Sequence, residues 1–137
     1  MDTVGMKPPA PYEDAVTFQF GDSPALADEL LALVLAGTKT ATCGALAHFD
    51  DNEPVPQAGR RDVVLDGQGR PACVIETTSM LIQRFDQVDE AFALAEGEGP
   101  FDVWRDAHIA YFDRNGGYAP DMMLACERFR VVEVFKR

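Results

Sequence analysis

Basic residues are scarce in this sequence. Twelve lysines and arginines stand against 23 aspartates and glutamates, a formal charge of −11, and such a chain repels a phosphate backbone at long range. Tight, nonspecific binding to long nucleic acid is therefore not expected; a small ligand or a short, locally read strand fits better. Cysteine is limited to Cys43, Cys73 and Cys126. An odd count without CxxC spacing suggests neither a disulfide framework nor a zinc site, and a reducing cytoplasm is the expected setting. No apolar run approaches the roughly 18 residues of a membrane span, and the proline-rich, acid-bearing start has no apolar segment of an export signal. P-loop, dinucleotide fingerprint, HExxH and GxSxG are all missing. The large motif-bearing enzyme classes thus lack support, and no cofactor or metal is expected.

What is present is globular: 137 residues with 47% hydrophobic and 26% charged side chains, enough for one domain with a substantial core. Residues 1–15 read as a proline-rich arm, since Lys7-Pro8-Pro9-Ala10-Pro11 can form neither helix nor central strand, and residues 16–137 as a single domain. Val16-Thr17-Phe18-Gln19-Phe20 alternates like a strand, and Asp22-Ser23-Pro24 caps a helix over 24–36, with Leu26, Leu30, Leu33 and Val34 at helical spacing and Gly37 as its stop. Residues 49–59 read as a solvated loop. Gly67-Gln68-Gly69 joins strands at 62–66 and 71–85 as a hairpin. Helices are expected over 86–95 and 101–114, and a last strand over 122–135. Strands and helices mix without regular βαβ alternation, which predicts an α+β fold with a mainly antiparallel, barrel-like sheet flanked by helices.

Three clusters offer chemistry. Lys39, the only lysine away from the chain ends, follows a helix C-terminus whose partial negative charge attracts it, and Thr42 three residues on would share its side of a turn; the plain alternative is a capping lysine and a strand-starting threonine. Glu96-Gly97-Glu98-Gly99 places two carboxylates on a permissive backbone that could approach a ligand closely, or forms a solvated acidic turn. Trp104, His108 and Tyr111 share one helical stripe and could build a base-stacking wall, or serve as core and rim. In Cys126-Glu127-Arg128-Phe129, strand alternation puts Glu127 and Phe129 on one face and Cys126 and Arg128 on the other, and a polar residue turned inward would need a partner. Arg60, Arg61, Arg128 and Arg130 could supply a local phosphate patch.

Several segments taken together carry a resemblance. Gly37-Thr38-Lys39-Thr40-Ala41-Thr42, Pro56 to Gly59, Val63-Val64-Leu65-Asp66-Gly67, Phe85-Asp86-Gln87-Val88, Ala95-Glu96-Gly97-Glu98-Gly99, Trp104-Arg105 with His108, and Cys126-Glu127-Arg128-Phe129 resemble, in order and spacing, a bacterial single-domain ASCH protein over about residues 17–134. The resemblance implies a PUA-like β-barrel with helices flanking a cleft for RNA or a nucleoside derivative. It also implies a hydrolase: the family includes an amidohydrolase that deacetylates N4-acetylcytidine and members reported as ribonucleases. Lys39 and Thr42 match its G-x-K-x-x-T lysine and threonine, and its catalytic glutamate falls on Glu98 or, with a two-residue shift, Glu96, with Glu98 preferred. Thr42 would attack the amide carbonyl, while Lys39 would manage the proton or, if it stays charged, stabilise the oxyanion and leave a glutamate as base. The expected substrate-binding residues are Trp104, His108, Tyr111 and Arg128. A nucleotide- or RNA-binding module without turnover, and a ribonuclease, are the competing functions.

Overall fold

In the computed structural model, which describes residues 7–137, the elements follow in the order β1 (Thr17–Phe18), α1 (Pro24–Leu35), β2 (Ala41–Ala45), β3 (Arg61–Leu65), β4 (Pro71–Arg84), α2 (Glu90–Ala95), α3 (Phe101–Arg114) and β5 (Met123–Val134). The five strands form one sheet in the order β1-β3-β4-β5-β2, antiparallel throughout except for the β1–β3 pair. This is the expected mainly antiparallel sheet. It curls, but it does not close: β1 and β2 are its two edges, and residues of both line one cleft. β4 can serve two neighbours because it is 14 residues long, pairing β3 with its first half and β5 along nearly its whole length. Irregularities at Val74/Ile75 and Thr77/Ser79 bend it between those tasks.

Local chemistry explains the element ends. Ser23 accepts a hydrogen bond from Leu26 N at 3.1 Å and Pro24 opens α1, a cap of about 1 kcal/mol. Gly37, at φ +79°, ends it, and the N–H groups of Thr38 and Lys39 both donate to Leu33 O. The buried row of α1 is Ala27, Leu31 and Val34, whereas Leu26, Leu30 and Leu33 are half-buried. The helix is thus turned from the expected stripe, of which only Val34 is fully buried. The helix expected over 86–95 is divided. Phe85–Gln87 is a 3-10 turn, Val88 is extended, and α2 starts only after Asp89, whose carboxylate accepts from Phe92 N at 2.8 Å. An aspartate that can cap a helix competes with continuing it. β1 is also shorter than the alternation suggests, since only Thr17 and Phe18 find partners.

The core has two parts. Ala41, Ala45, Phe85, Phe92, Trp104, Phe112, Leu124 and Cys126 pack under α2 and α3; Phe20, Leu31, Val34, Val64, Ile75 and Phe129 pack under α1. β5 serves both by alternation. Cys126 faces the first part and Arg128 lies over the Phe92 ring at 5.4 Å, while Glu127 and Phe129 face the other way. Of the N-terminal arm, residues 1–6 lie outside the described part, and the remainder is tied down. Pro8 is buried, and the Tyr12 ring lies 6.3 Å from that of Phe135 with its hydroxyl accepting from Arg61 at 3.3 Å.

Candidate functional site

Two neighbouring arrangements hold the functional candidates. The first is an ion cluster. The turn between α2 and α3 folds back over the end of α1, fixed by Thr40 N donating to Ala95 O at 2.8 Å. Gly97 makes this approach feasible: at φ +75° a Cβ there would sit 2.5 Å from Thr38 O. The glycine lets the backbone approach its own chain rather than a ligand. As a result Lys39 Nζ donates to Glu98 Oε2 at 2.6 Å, to Glu96 Oε1 at 3.0 Å and to the Glu96 carbonyl at 3.4 Å. Those are all three ammonium protons. Trp104 Nε1 donates to Glu96 Oε2 at 3.0 Å, and His108 Nε2 lies 3.6 Å from Glu96 Oε1. The His108 Nδ1–H donates to Trp104 O at 2.8 Å. Lys39 and Glu96 are each 1% exposed, whereas Glu98 keeps 18% of its side chain in solvent.

Burial alone would push the Lys39 amine down, but the Glu96 and Glu98 carboxylates outweigh it and hold the ammonium charged above its ordinary range. Burial likewise pushes Glu96 up, and the Lys39 ammonium together with His108 overcomes it and holds the carboxyl down at about 2. His108 is raised, because its contact with Glu96 and the nearby Glu98 charge outweigh burial. The Cys43 thiol is pushed well up by burial and by the Glu96 charge. Cys43, Glu96 and His108 offer ligand atoms within 4.8 Å of one another, donor types that suit zinc. Here burial keeps the thiol protonated, and the Lys39 ammonium already pairs with the carboxylate. Metal binding would have to displace both.

The second arrangement is a cleft of about 450 Å³ between β1 and β2. Phe18, Phe20, Phe49 and Tyr111 supply aromatic walls, and Thr42, Arg60, Asp62 and Glu127 supply polar groups. Arg60 grips Asp62 through two bonds of 2.8 Å, and Thr77 Oγ1 donates to Glu127 Oε2 at 2.6 Å. Glu127 stands directly across from Thr42 in the β2–β5 register, and partners in an antiparallel pair face the same side. Burial pushes the Glu127 carboxyl up and the Asp62 charge adds to this, against the opposing pull of Thr77 and Arg60.

The candidates therefore divide. Lys39, Glu96, Glu98 and His108 meet, as does the Trp104 N–H. Thr42 does not join them: the chain is extended there, so a spacing of three puts Thr42 and Lys39 on opposite faces rather than on one side of a turn. Among the described residues Thr42 Oγ1 makes no hydrogen bond to Lys39, Glu96 or Glu98. Cys43, which lines the cleft and neighbours Glu96, and Phe20, whose ring lies 5.6 Å from Lys39 Nζ, stand between the two arrangements. Trp104 is no stacking wall. It is 1% exposed, with Phe85 stacked on it at 5.5 Å and His108 at 4.4 Å. Tyr111 does line the cleft; Arg128 does not, being spent on Phe92. No phosphate patch gathers there either, since Arg61 and Arg130 both pair with Glu76. Sequence reasoning passed over Asp62, but Glu127 had signalled itself as an acid in mid-strand.

A family model described as ASCH domain matches residues 16–133. The chain belongs to the ASCH domain family. An Enterococcus faecalis protein of known structure is 36% identical, covering 90% of this chain and 83% of its own, with a TM-score of 0.79. The ASCH domain from Lactobacillus crispatus is 33% identical over 89% of this chain and 82% of its own, at 0.80. An ASCH protein from Zymomonas mobilis, 10% identical over 88% of this chain and 71% of its own, shares the fold at 0.54. No curated protein matches. The open, curled sheet with its flanking helices is the PUA-like fold of this family. Among the described residues no helix is long and apolar enough to cross a membrane.

Proposed function

We propose that the cleft between β1 and β2 binds a nucleoside-type ligand and hydrolyses the N4-acyl amide of an acylated cytidine, with Thr42 as the attacking hydroxyl. The observation that carries this reading is Thr42 itself: its side chain stands in an aromatic-walled cleft of about 450 Å³, the size and lining of a small-molecule site. Tyr111 and Phe49 offer faces for a base. The lining acids Glu53, Asp62 and Glu127 outnumber the lone arginine, Arg60, which favours an uncharged nucleoside over the phosphates of RNA and weakens the ribonuclease reading. A cytoplasmic location accords with three free thiols.

In this mechanism Lys39 is no base, because it is held as an ammonium. With its three protons engaged, it acts with Glu96 and Glu98 as the anchor of the segment that presents Thr42. The three are positioning residues. One ammonium stands there against two carboxylates, so the cluster anchors the strand and lends no net positive charge to an oxyanion forming at Thr42. The same saturation of Lys39 supports a second reading, ligand binding without turnover.

Incubating the purified protein with N4-acetylcytidine and related acylated nucleosides, with cytidine release followed by chromatography, tests both. Turnover lost in Thr42→Ala is the expected result. A wild type that binds these compounds without cleaving them would favour the binding module, and one that neither binds nor cleaves would overturn both readings.

A further inference from the structure

The proton that leaves Thr42 needs an acceptor, and the ion cluster supplies none. Lys39 is already protonated, Glu96 accepts from Lys39 and Trp104 on both oxygens, and Glu98 does not line the cleft. The cleft has three carboxylates of its own, of which Glu53 is exposed on the loop before β3. Asp62 is held through both oxygens by Arg60. Glu127 is different: among the described residues only its Oε2 has a hydrogen-bond donor, Thr77, and the residue lines the cleft directly opposite Thr42.

We propose that Glu127 is a catalytic residue of this cleft, taking the proton of Thr42 and delivering it to the leaving nitrogen. The inference rests on the hydrolase reading above. As the Thr42 Oγ–carbonyl carbon bond forms, the hydroxyl proton passes to Glu127. When the tetrahedral intermediate collapses, the C–N bond breaks, and the same proton goes to N4, which leaves as the amino group of cytidine. Water then attacks the acyl-threonine ester and gives a proton to Glu127. Cleavage of the ester C–O bond returns that proton to Thr42 Oγ and releases the carboxylic acid. One water is consumed, and the enzyme is restored. A carboxyl whose affinity for protons is raised by burial and a neighbouring charge suits both halves of this exchange. The charged and titratable groups that share the cleft with Glu127 are Asp62 on β3, Arg60 and Glu53 on the loop before it, Tyr111 on α3 and Cys43 on β2; from β4 it receives the neutral Thr77, and from β2 it faces Thr42.

The experiment is steady-state hydrolysis of N4-acetylcytidine across pH by wild type, Glu127→Gln, Thr77→Val and Asp62→Asn. Glu127→Gln should lower kcat about a hundredfold or more with KM little changed. In the other two variants the acidic limb of the pH profile should move in opposite directions. Losing the Thr77 hydroxyl removes a bond to the carboxylate and shifts the limb up; losing the Asp62 charge shifts it down. The opposite shifts do not depend on whether Glu127→Gln folds. An inert wild type overturns the hydrolase reading and this role with it. An active wild type whose Glu127→Gln variant folds and keeps kcat within threefold, or whose acidic limb ignores both neighbours, overturns Glu127 alone.

Discussion

The Lys39 ammonium lies 2.6 Å from a Glu98 carboxylate oxygen across a separation of 59 residues. Together with the 3.0 Å bond to Glu96, this pair fastens the α2–α3 turn to the start of β2, the strand that carries Thr42. Charge, burial and the position of the reactive hydroxyl are thus linked through one lysine.

Removing that lysine should be costly. Lys39→Met would strand Glu96 as a buried, unbalanced carboxylate, and breaking one side of such a pair costs about 3–5 kcal/mol. Urea denaturation should show this loss, and adding Glu96→Gln to Lys39→Met should recover part of it. If Lys39→Met is as stable as wild type, the pair is not a structural anchor.

Lys39→Arg and Lys39→Ala separate charge from proton transfer. An arginine keeps the positive charge but cannot act as a base, so in the reading above Lys39→Arg retains measurable turnover while Lys39→Ala falls about a hundredfold or more. Equal, complete loss in two folded variants would argue for a proton-transferring lysine.

Stability should depend on acid through Glu96. Its folded-state pKa, about 2, lies below the ordinary 4.5. The stabilisation is therefore fully present above pH 4.5 and lost as pH falls toward 2. Urea midpoints across that window should fall less steeply in Glu96→Gln than in wild type. His108 has the opposite sense: raised above 6.5, it stabilises fully below that pH and less as pH rises through its folded value. Proton NMR should find its titration above 6.5 in wild type and lower once Glu96→Gln removes the carboxylate.

Ligand binding should follow the cleft rather than the tryptophan. Tyr111→Ala and Phe49→Ala should each weaken cytidine binding measured by calorimetry, about tenfold per lost stacking face. Trp104→Phe should leave affinity nearly unchanged but cost about 1–3 kcal/mol of stability by leaving Glu96 short of a buried donor. A Trp104→Phe variant that folds normally and no longer binds would restore the base-stacking wall.

Much of the fold was legible because its signals are local. Ser23-Pro24 and Gly37 bound α1, Gly67-Gln68-Gly69 marks the β3–β4 hairpin, and β5 follows its alternation, Glu127 included. The miss at 86–95 was also local: Asp89 has helix-capping chemistry, which the apolar spacing of Val88, Phe92 and Ala95 concealed. The site was harder to read because it depends on distant pairings. Lys39, Glu96 and Glu98 stand out separately in the sequence, the lysine by its rarity and the acids by the glycines between them, and their contact follows from a turn crossing the end of α1. The face taken by Thr42 depends on β2 being extended, which spacing alone does not reveal. Trp104 looks available on its helical stripe, yet Phe85, from a different element, covers one of its faces.

The unclosed side of the sheet leaves unpaired backbone along β1 and β2, and exposed edges of this kind invite strands from other molecules. Here both edges are short, two residues and five, and the loop that lines the opening carries Pro54 and Pro56, residues without an N–H to offer an incoming strand. The same segment therefore shapes the cleft and offers few backbone donors at its mouth. Shortening that loop to widen the cleft for larger ligands would trade specificity for aggregation, visible as concentration-dependent light scattering before any loss of helix signal.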